Sequence, residues 1–221
     1  MKLEKVIHFI RKIYDTPEAP IYLHEPRFYG KEKEYLLDAI DSTFVSSVGE
    51  YVNRFEKMIA DIAGTKYAVA MVNGTSALHI ALKLVGVERG SEVIMQPLTF
   101  IATANAIAYE RAIPHFVDVS VKTLGLCPNA LNKRLSKIAI LKDGKCYNKE
   151  TGARISACVP MHTFGLPAEI DKLMEICEAY NIPVIEDAAE SIGSSYKEKQ
   201  TGSYGIIGTY SFNGNKTVTC G

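Results

Sequence analysis

The amino-acid sequence predicts an α/β protein built on a parallel sheet with covering helices, and two observations carry that reading. From Lys66 onward, short apolar runs alternate with segments of helical periodicity. The alternation then repeats in a second block, the pattern expected where parallel strands are joined by crossover helices. At 221 residues and 47% hydrophobic composition the chain is long enough for one large core, alone or with an appendage.

Taken in order, Met1–Lys12 has apolar positions at helical spacing with charges between them and reads as a short amphipathic helix rather than a signal peptide. Pro17–Gly30, rich in Pro, Gly and His, reads as an extended arm. Two helices are predicted next. Lys31–Ser42 has Tyr35, Leu36, Ala39 and Ile40 on one side, and Glu50–Ala63 has Tyr51, Phe55, Met58, Ile59 and Ile62 on one stripe. The first block of alternation gives a strand at Tyr67–Val72, a helix at Ser76–Val85, a strand at Glu92–Gln96, a helix at Phe100–Tyr109 and a strand at Ile113–Val117. In the second block, Ala157–Met161 is a strand, Glu169–Tyr180 a helix and Pro183–Glu186 a strand. Between the blocks, Asp143-Gly144 and Thr151-Gly152 mark Leu141–Arg154 as a hairpin or loop. A last strand is predicted at Thr209–Phe212.

Charge and cysteine usage exclude several classes. Lys plus Arg equals Asp plus Glu at 25 each, with no long basic run to neutralise a nucleic-acid backbone. Cys127, Cys146, Cys158, Cys177 and Cys220 form no C-x-x-C pair, and their odd number argues for reduced thiols in a cytoplasmic protein. No apolar run approaches the ~20 residues that span a bilayer, so a soluble protein is expected. His8, His24 and His115 lack metal-ligand spacing, which argues against a metal site. His79, inside an apolar helix, reads as a satisfied core residue.

The residues with chemical potential collect at predicted strand ends. Gly74-Thr75-Ser76, at a strand-to-helix turn, is suited to cradle a phosphate, although Ser and Thr are equally at home there as helix caps. Asp187 ends a strand where open α/β folds place ligands; it either faces a heterocyclic nitrogen or caps the next turn. Glu190 reaches the same ligand or serves as a capping partner, and His162 either contacts substrate or supports the pocket. Phe100 follows Gln96-Pro97-Leu98-Thr99 and either stacks on a planar ring or belongs to the core. Lys216 lies in a Gly-containing turn after a strand, with Ser211 five positions earlier able to share a phosphate with Thr75 and Ser76. A partly desolvated lysine beside a cationic ring has the lowered pKa that covalent attachment to an aldehyde requires. Lysine, strand-end aspartate and phosphate turn together specify pyridoxal phosphate (PLP) more sharply than any of them does alone.

With those residues in view, the chain resembles the DegT/DnrJ family of PLP-dependent sugar aminotransferases from about His24 to its last residue. His24-Glu25-Pro26, Phe44-Val45-Ser46-Ser47-Val48-Gly49, Tyr147-Asn148-Lys149, Asp187-Ala188-Ala189-Glu190-Ser191 and Ser211-Phe212-Asn213-Gly214-Asn215-Lys216 are most similar to the branch serving legionaminic acid and bacillosamine biosynthesis. The resemblance implies a three-layer α/β/α fold of PLP-dependent transferase fold type I. It makes residues 1–30 an N-terminal helix and arm, and residues 31–221 a partial PLP-binding large domain without the small C-terminal domain. It implies that Lys216 bonds the cofactor and shuttles protons, and that Asp187 partners the pyridine nitrogen. Phe100 would stack on the ring, Glu190 would lie near the 3-hydroxyl, and Gly74, Thr75, Ser76 and Ser211 would hold the phosphate. Glutamate is then the expected amino donor and a UDP-4-keto-6-deoxy-N-acetylhexosamine the acceptor, in a homodimer.

Relatives in that family continue beyond this lysine, by roughly 150 residues on common domain sizes, so a fragment or truncated reading frame is expected. The alternatives are a non-catalytic remnant or PLP-binding assembly module, and, more weakly, a Rossmann oxidoreductase, for which the glycine fingerprint is missing.

Overall fold

A computed structural model of the chain describes residues 3–22 and 25–219. His24, Cys220 and Gly221, all named above, lie outside the described residues.

The sheet is built from the centre outward. Strand β1 (Glu92–Met95) pairs in parallel with β2 (Ile113–Phe116) on one side and β5 (Ile155–Val159) on the other. Single parallel bridges, Cys158 to Val184 and Met161 to Asp187, bring β6 (Ile185–Asp187) alongside β5, and β6 pairs in parallel with β9 (Ile207–Thr209). The order is therefore β2-β1-β5-β6-β9, all parallel, as the alternating pattern requires.

Successive side chains along β1 point to opposite faces. Val93 and Met95 meet Leu78 and Leu82 of α4 (Gly74–Leu84) and Ala106 and Ile107 of α5 (Ile101–Tyr109). Ile94 faces the other way, into Leu131, Leu135 and Ile138 of α6 (Pro128–Ile138) and Ile170, Leu173 and Cys177 of α7 (Ile170–Ala179). The result is the expected three-layer α/β/α stack. Every residue of β1 and β5 is buried, because each strand carries a helix layer on both faces.

Outside this core lie α1 (Leu3–Ile13), which buries no residue, and the arm that follows it. Helices α2 (Glu32–Asp41) and α3 (Glu50–Ala63) match their predicted spans, and α3 stops at Gly64, whose φ of 68° is the left-handed cap glycine adopts readily. Asp143 and Gly144 both have positive φ and close the hairpin of β3 (Ala139–Lys142) and β4 (Lys145–Asn148) in two residues.

Four features differ from expectation. The Tyr67–Val72 segment forms no ladder: Tyr67, Val69 and Val72 are exposed, and the Ala70 amide donates to Glu56 Oε1 at 2.8 Å instead of to a neighbouring strand. Its apolar sequence has strand propensity, but no paired edge lies beside it among the described residues. Instead it lines a 1110 Å³ cleft with α3, α4 and residues 202–213. The last strand forms at Ile207–Thr209 rather than Thr209–Phe212, because its register is set by β6. Helix α6 lies where no element is predicted, although Pro128 at its start and Leu131, Leu135 and Ile138 at i, i+4, i+7 spacing are its signals. A further short hairpin, β7 (Ser195–Tyr196) with β8 (Lys199–Gln200), is likewise unpredicted.

Two buried glutamates fasten loops to strand ends. Glu92 accepts hydrogen bonds from Thr151 Oγ1 at 2.6 Å and Asn148 Nδ2 at 2.9 Å, and lies 2.8 Å from His115 Nδ1. Glu186 accepts from the amides of Gly202 (2.9 Å), Tyr204 (2.5 Å) and Gly205 (2.7 Å) and pairs with His162 at 2.9 Å. Burial pushes both carboxyls up, but the donors outweigh it and hold them below their usual value of 4.5. A depressed carboxyl stabilises the fold above its unfolded pKa and loses that contribution as pH falls. The thermal midpoint should therefore drop steeply on acidification below about 4.5. Glu92→Gln should cost about 1–3 kcal/mol at neutral pH and flatten the acid limb. A melting series from pH 7 to pH 3 tests both, and an unchanged midpoint across that range would contradict them.

Candidate active site

The parallel strands carry their carboxyl ends to one edge of the sheet, where open α/β folds leave a crevice for ligands. Four connections meet there: the turn into α4, the turn into α5, the loop after β6 and the loop after β9.

Asp187, last residue of β6, is 2% exposed. Its Oδ2 accepts from Thr103 Oγ1 at 2.7 Å and its Oδ1 from the Ala189 amide at 3.2 Å. Burial pushes its pKa above the usual carboxylate range, against the opposing pull of Thr103, the Ala189 amide, Lys216 and His162. Of the two readings, turn-capping has its bond, since Oδ1 serves the Ala189 amide.

Lys216 lies in the loop after β9, its side chain 10% exposed. Nζ lies 3.1 Å from Glu190 Oε1 and 5.5 Å from the centre of the Phe100 ring. Glu190 does not cap its own turn: Oε2 accepts from the Phe164 amide at 3.0 Å, which ties the carboxylate to the turn after β5. Phe100 stands at the N-cap of α5 and is 60% exposed, so it is not a core residue.

At the start of α4 the cap is Asn73, whose Oδ1 accepts from the Ser76 amide at 2.8 Å. Among the described residues the hydroxyls of Thr75, Ser76 and Ser211 are therefore left without a side-chain partner. Ser211 lies against this turn, because a Cβ added to Gly74 would come within 3.1 Å of Ser211 Cβ. Glycine permits that approach.

The structure thus gathers Gly74, Thr75, Ser76 and Ser211 into one cluster, and Phe100, Asp187, Glu190 and Lys216 into another. His162 is fully buried; its Nδ1 accepts from the Ala168 amide at 3.1 Å, so its Nε2–H faces Glu186. It supports the pocket wall and has no free edge for a substrate. His79 is satisfied but not core, with a side chain 32% exposed and Nε2 at 2.7 Å from Glu110 Oε1. Tyr147-Asn148-Lys149 is at the far end of the sheet, where Asn148 serves Glu92 at the beginning of β1. Thr103 escaped the sequence reading; a hydroxyl buried among the alanines of α5, three positions after Phe100, was its only signal.

The three-layer sheet with a lysine and a carboxylate at one edge is the large-domain architecture of the fold-type-I transferases. The chain belongs to the DegT/DnrJ/EryC1/StrS aminotransferase family, whose model matches residues 27–221. EpsN of Bacillus subtilis strain 168, described as a pyridoxal phosphate-dependent aminotransferase, is 41% identical over 90% of this chain and 49% of its own. The GDP-perosamine synthase of Caulobacter vibrioides is 39% identical over 89% of this chain and 48% of its own. An aminotransferase from Psychrobacter cryohalolentis superposes with a TM-score of 0.77 at 32% identity, covering 92% of this chain and 47% of that one. The chain spans about half the length of the relatives it matches. Among the described residues no helix is long and apolar enough to cross a membrane.

Proposed function

We propose that the protein is a PLP-dependent nucleotide-sugar aminotransferase that moves an amino group from glutamate to C4 of a UDP-4-keto-6-deoxy-N-acetylhexosamine. The observation that carries this reading is the position of Lys216 Nζ, between the face of Phe100 and the carboxylate of Glu190, on the edge that Asp187 also occupies. The residues fit the cofactor on their own chemistry. An uncommitted hydroxyl cluster at a helix N-terminus suits a phosphate, an exposed aromatic face suits a ring, and a buried carboxylate suits a ring nitrogen.

When bound, PLP supplies an electron sink for the bond-breaking at the amino donor. The chain's residues do the rest. Gly74, Thr75, Ser76 and Ser211 would hold the phosphate, and Phe100 would support the ring. Asp187, buried at the strand end, would face the ring nitrogen with an opposite charge in a dry site. Lys216 would hold the cofactor through Nζ and move protons at that atom, and Glu190, 3.1 Å from Nζ, would orient the amine and serve the 3-hydroxyl.

The choice of UDP over GDP rests on the sequence segments cited for the legionaminic and bacillosamine branch. Tyr147-Asn148-Lys149 adds nothing to that choice, since Asn148 is engaged by Glu92 away from the site. The discriminating measurement is turnover of UDP-linked against GDP-linked 4-keto sugars with glutamate; a preference for the GDP sugar would replace the acceptor and leave the aminotransferase reading intact.

The same reading divides the chain into an arm (1–30) and a partial PLP-binding domain (31–221), acting in a cytoplasmic homodimer. A second reading, a PLP-binding module without turnover, is favoured by the unpaired Tyr67–Val72 segment and its apolar cleft. Absorbance of the purified chain with PLP and turnover with glutamate and the keto sugar separate the two readings: bound PLP without turnover would favour the module, and turnover would overturn it.

A further inference from the structure

We infer that Thr103, backed by Thr99, is the positioning residue that fixes Asp187 and holds it in the form that binds a cationic ring nitrogen; this rests on the PLP-site reading above. Three observations carry it. Thr103 Oγ1 lies 2.7 Å from Asp187 Oδ2, both residues being 2% exposed, so no water competes for that bond. Thr99 Oγ1 lies 2.8 Å from Thr103 Oγ1 and 3.0 Å from Met161 Sδ. Both threonines belong to the turn that presents Phe100, so one short segment sets the stacking face and the carboxylate together.

The hydroxyl chain has two polarities. Each threonine has one proton to donate. With Asp187 ionised, Thr103 donates to Oδ2 and accepts from Thr99. With Asp187 protonated, the carboxyl donates to Thr103, Thr103 donates to Thr99, and Thr99 donates to the Met161 sulfur. Every member has a partner in both states, and only the first places an anion at the strand end. The thioether is the weaker acceptor, so the ionised polarity is the better satisfied of the two. The other titratable groups facing Asp187 are Lys216 from the loop after β9 and His162 from the turn after β5. Both act through space, whereas Thr103 touches the carboxylate.

The test compares Thr103→Val, which keeps the shape and removes the hydroxyl, with Thr103→Ser, which restores it. Thr103→Ala serves in place of the valine variant if that one loses its near-ultraviolet circular dichroism. The first readout is the carboxyl 13C titration of Asp187 in protein free of PLP, and the second is PLP affinity. Removal of the hydroxyl should tighten proton binding by Asp187 roughly tenfold, since a hydrogen bond to a charged group is lost. Serine should return the titration close to wild type. PLP affinity should fall in the valine variant and recover in the serine variant. An unmoved titration in both hydroxyl-free variants overturns the role of Thr103, whatever happens to affinity. A moved titration with unchanged PLP affinity upholds Thr103 as the residue positioning Asp187, overturns the link to the ring nitrogen, and counts against the PLP-site reading instead.

Discussion

Lys216→Ala is expected to abolish borohydride-stable attachment of PLP to the chain and to reduce transamination by about 10³-fold or more, the usual scale for loss of a positioned proton carrier with nucleophilic function. The expectation comes from the place of Nζ. It is 10% exposed, on the exposed face of Phe100 and against Glu190. The fold should tolerate the change. Lys216 lies in the loop after β9, outside the packed sheet and helices, and its one ion pair among the described residues is with the partly exposed Glu190. Mass spectrometry after borohydride treatment locates the attachment, and steady-state turnover gives the rate. A Lys216→Ala protein that still processed keto sugar at the wild-type rate would remove the lysine from the mechanism.

Asp187→Asn should weaken PLP binding without abolishing it and slow the proton-transfer steps by about 10²–10³-fold, because a preorganised charge at the ring nitrogen is replaced by a dipole. The side chain is isosteric, and the local hydrogen bonds can follow it. The new amide can donate to Thr103 while its oxygen keeps the Ala189 amide, using the second polarity of the hydroxyl chain. Stability separates this prediction from simple damage to the fold. A carboxyl raised above its unfolded value of 3.8 stabilises the folded state fully below that value, and loses this contribution as pH rises through its folded pKa. At neutral pH the buried anion is therefore a cost to the PLP-free fold, and Asp187→Asn should melt no lower than wild type there. Near-normal turnover would make Asp187 a turn cap only, while a large fall in melting temperature would assign it a structural role.

The homology of this chain is legible in short segments, whereas its catalytic geometry is assembled from long-range contacts. Lys216, Asp187, Phe100 and the Gly74-Thr75-Ser76 turn could each be singled out because strand-end and turn positions in α/β proteins are where chemistry accumulates. The partnership of Thr103 with Asp187, 84 positions apart, could not be read, since nothing local distinguishes a helical threonine that caps no turn from one that serves a carboxylate. The same limit applied to Gly74-Thr75-Ser76. Whether those hydroxyls cap the helix or remain uncommitted was settled by Asn73, which takes the capping bond.

The sequence by itself determined that parallel strands alternate with covering helices, and where most of them lie, because the periods of its apolar residues differ between strands and helices and those periods are local. It also determined which residue types stand at the strand ends. Tertiary structure alone decided that Tyr67–Val72 makes no ladder, that β9 forms at Ile207–Thr209, and that Glu190 reaches Lys216 and the Phe164 amide instead of its own turn. In each case the deciding quantity was the presence or absence of a partner brought from elsewhere in the chain. A strand exists only when another strand accepts and donates its backbone hydrogen bonds, and a carboxylate takes the donors that the fold carries to it.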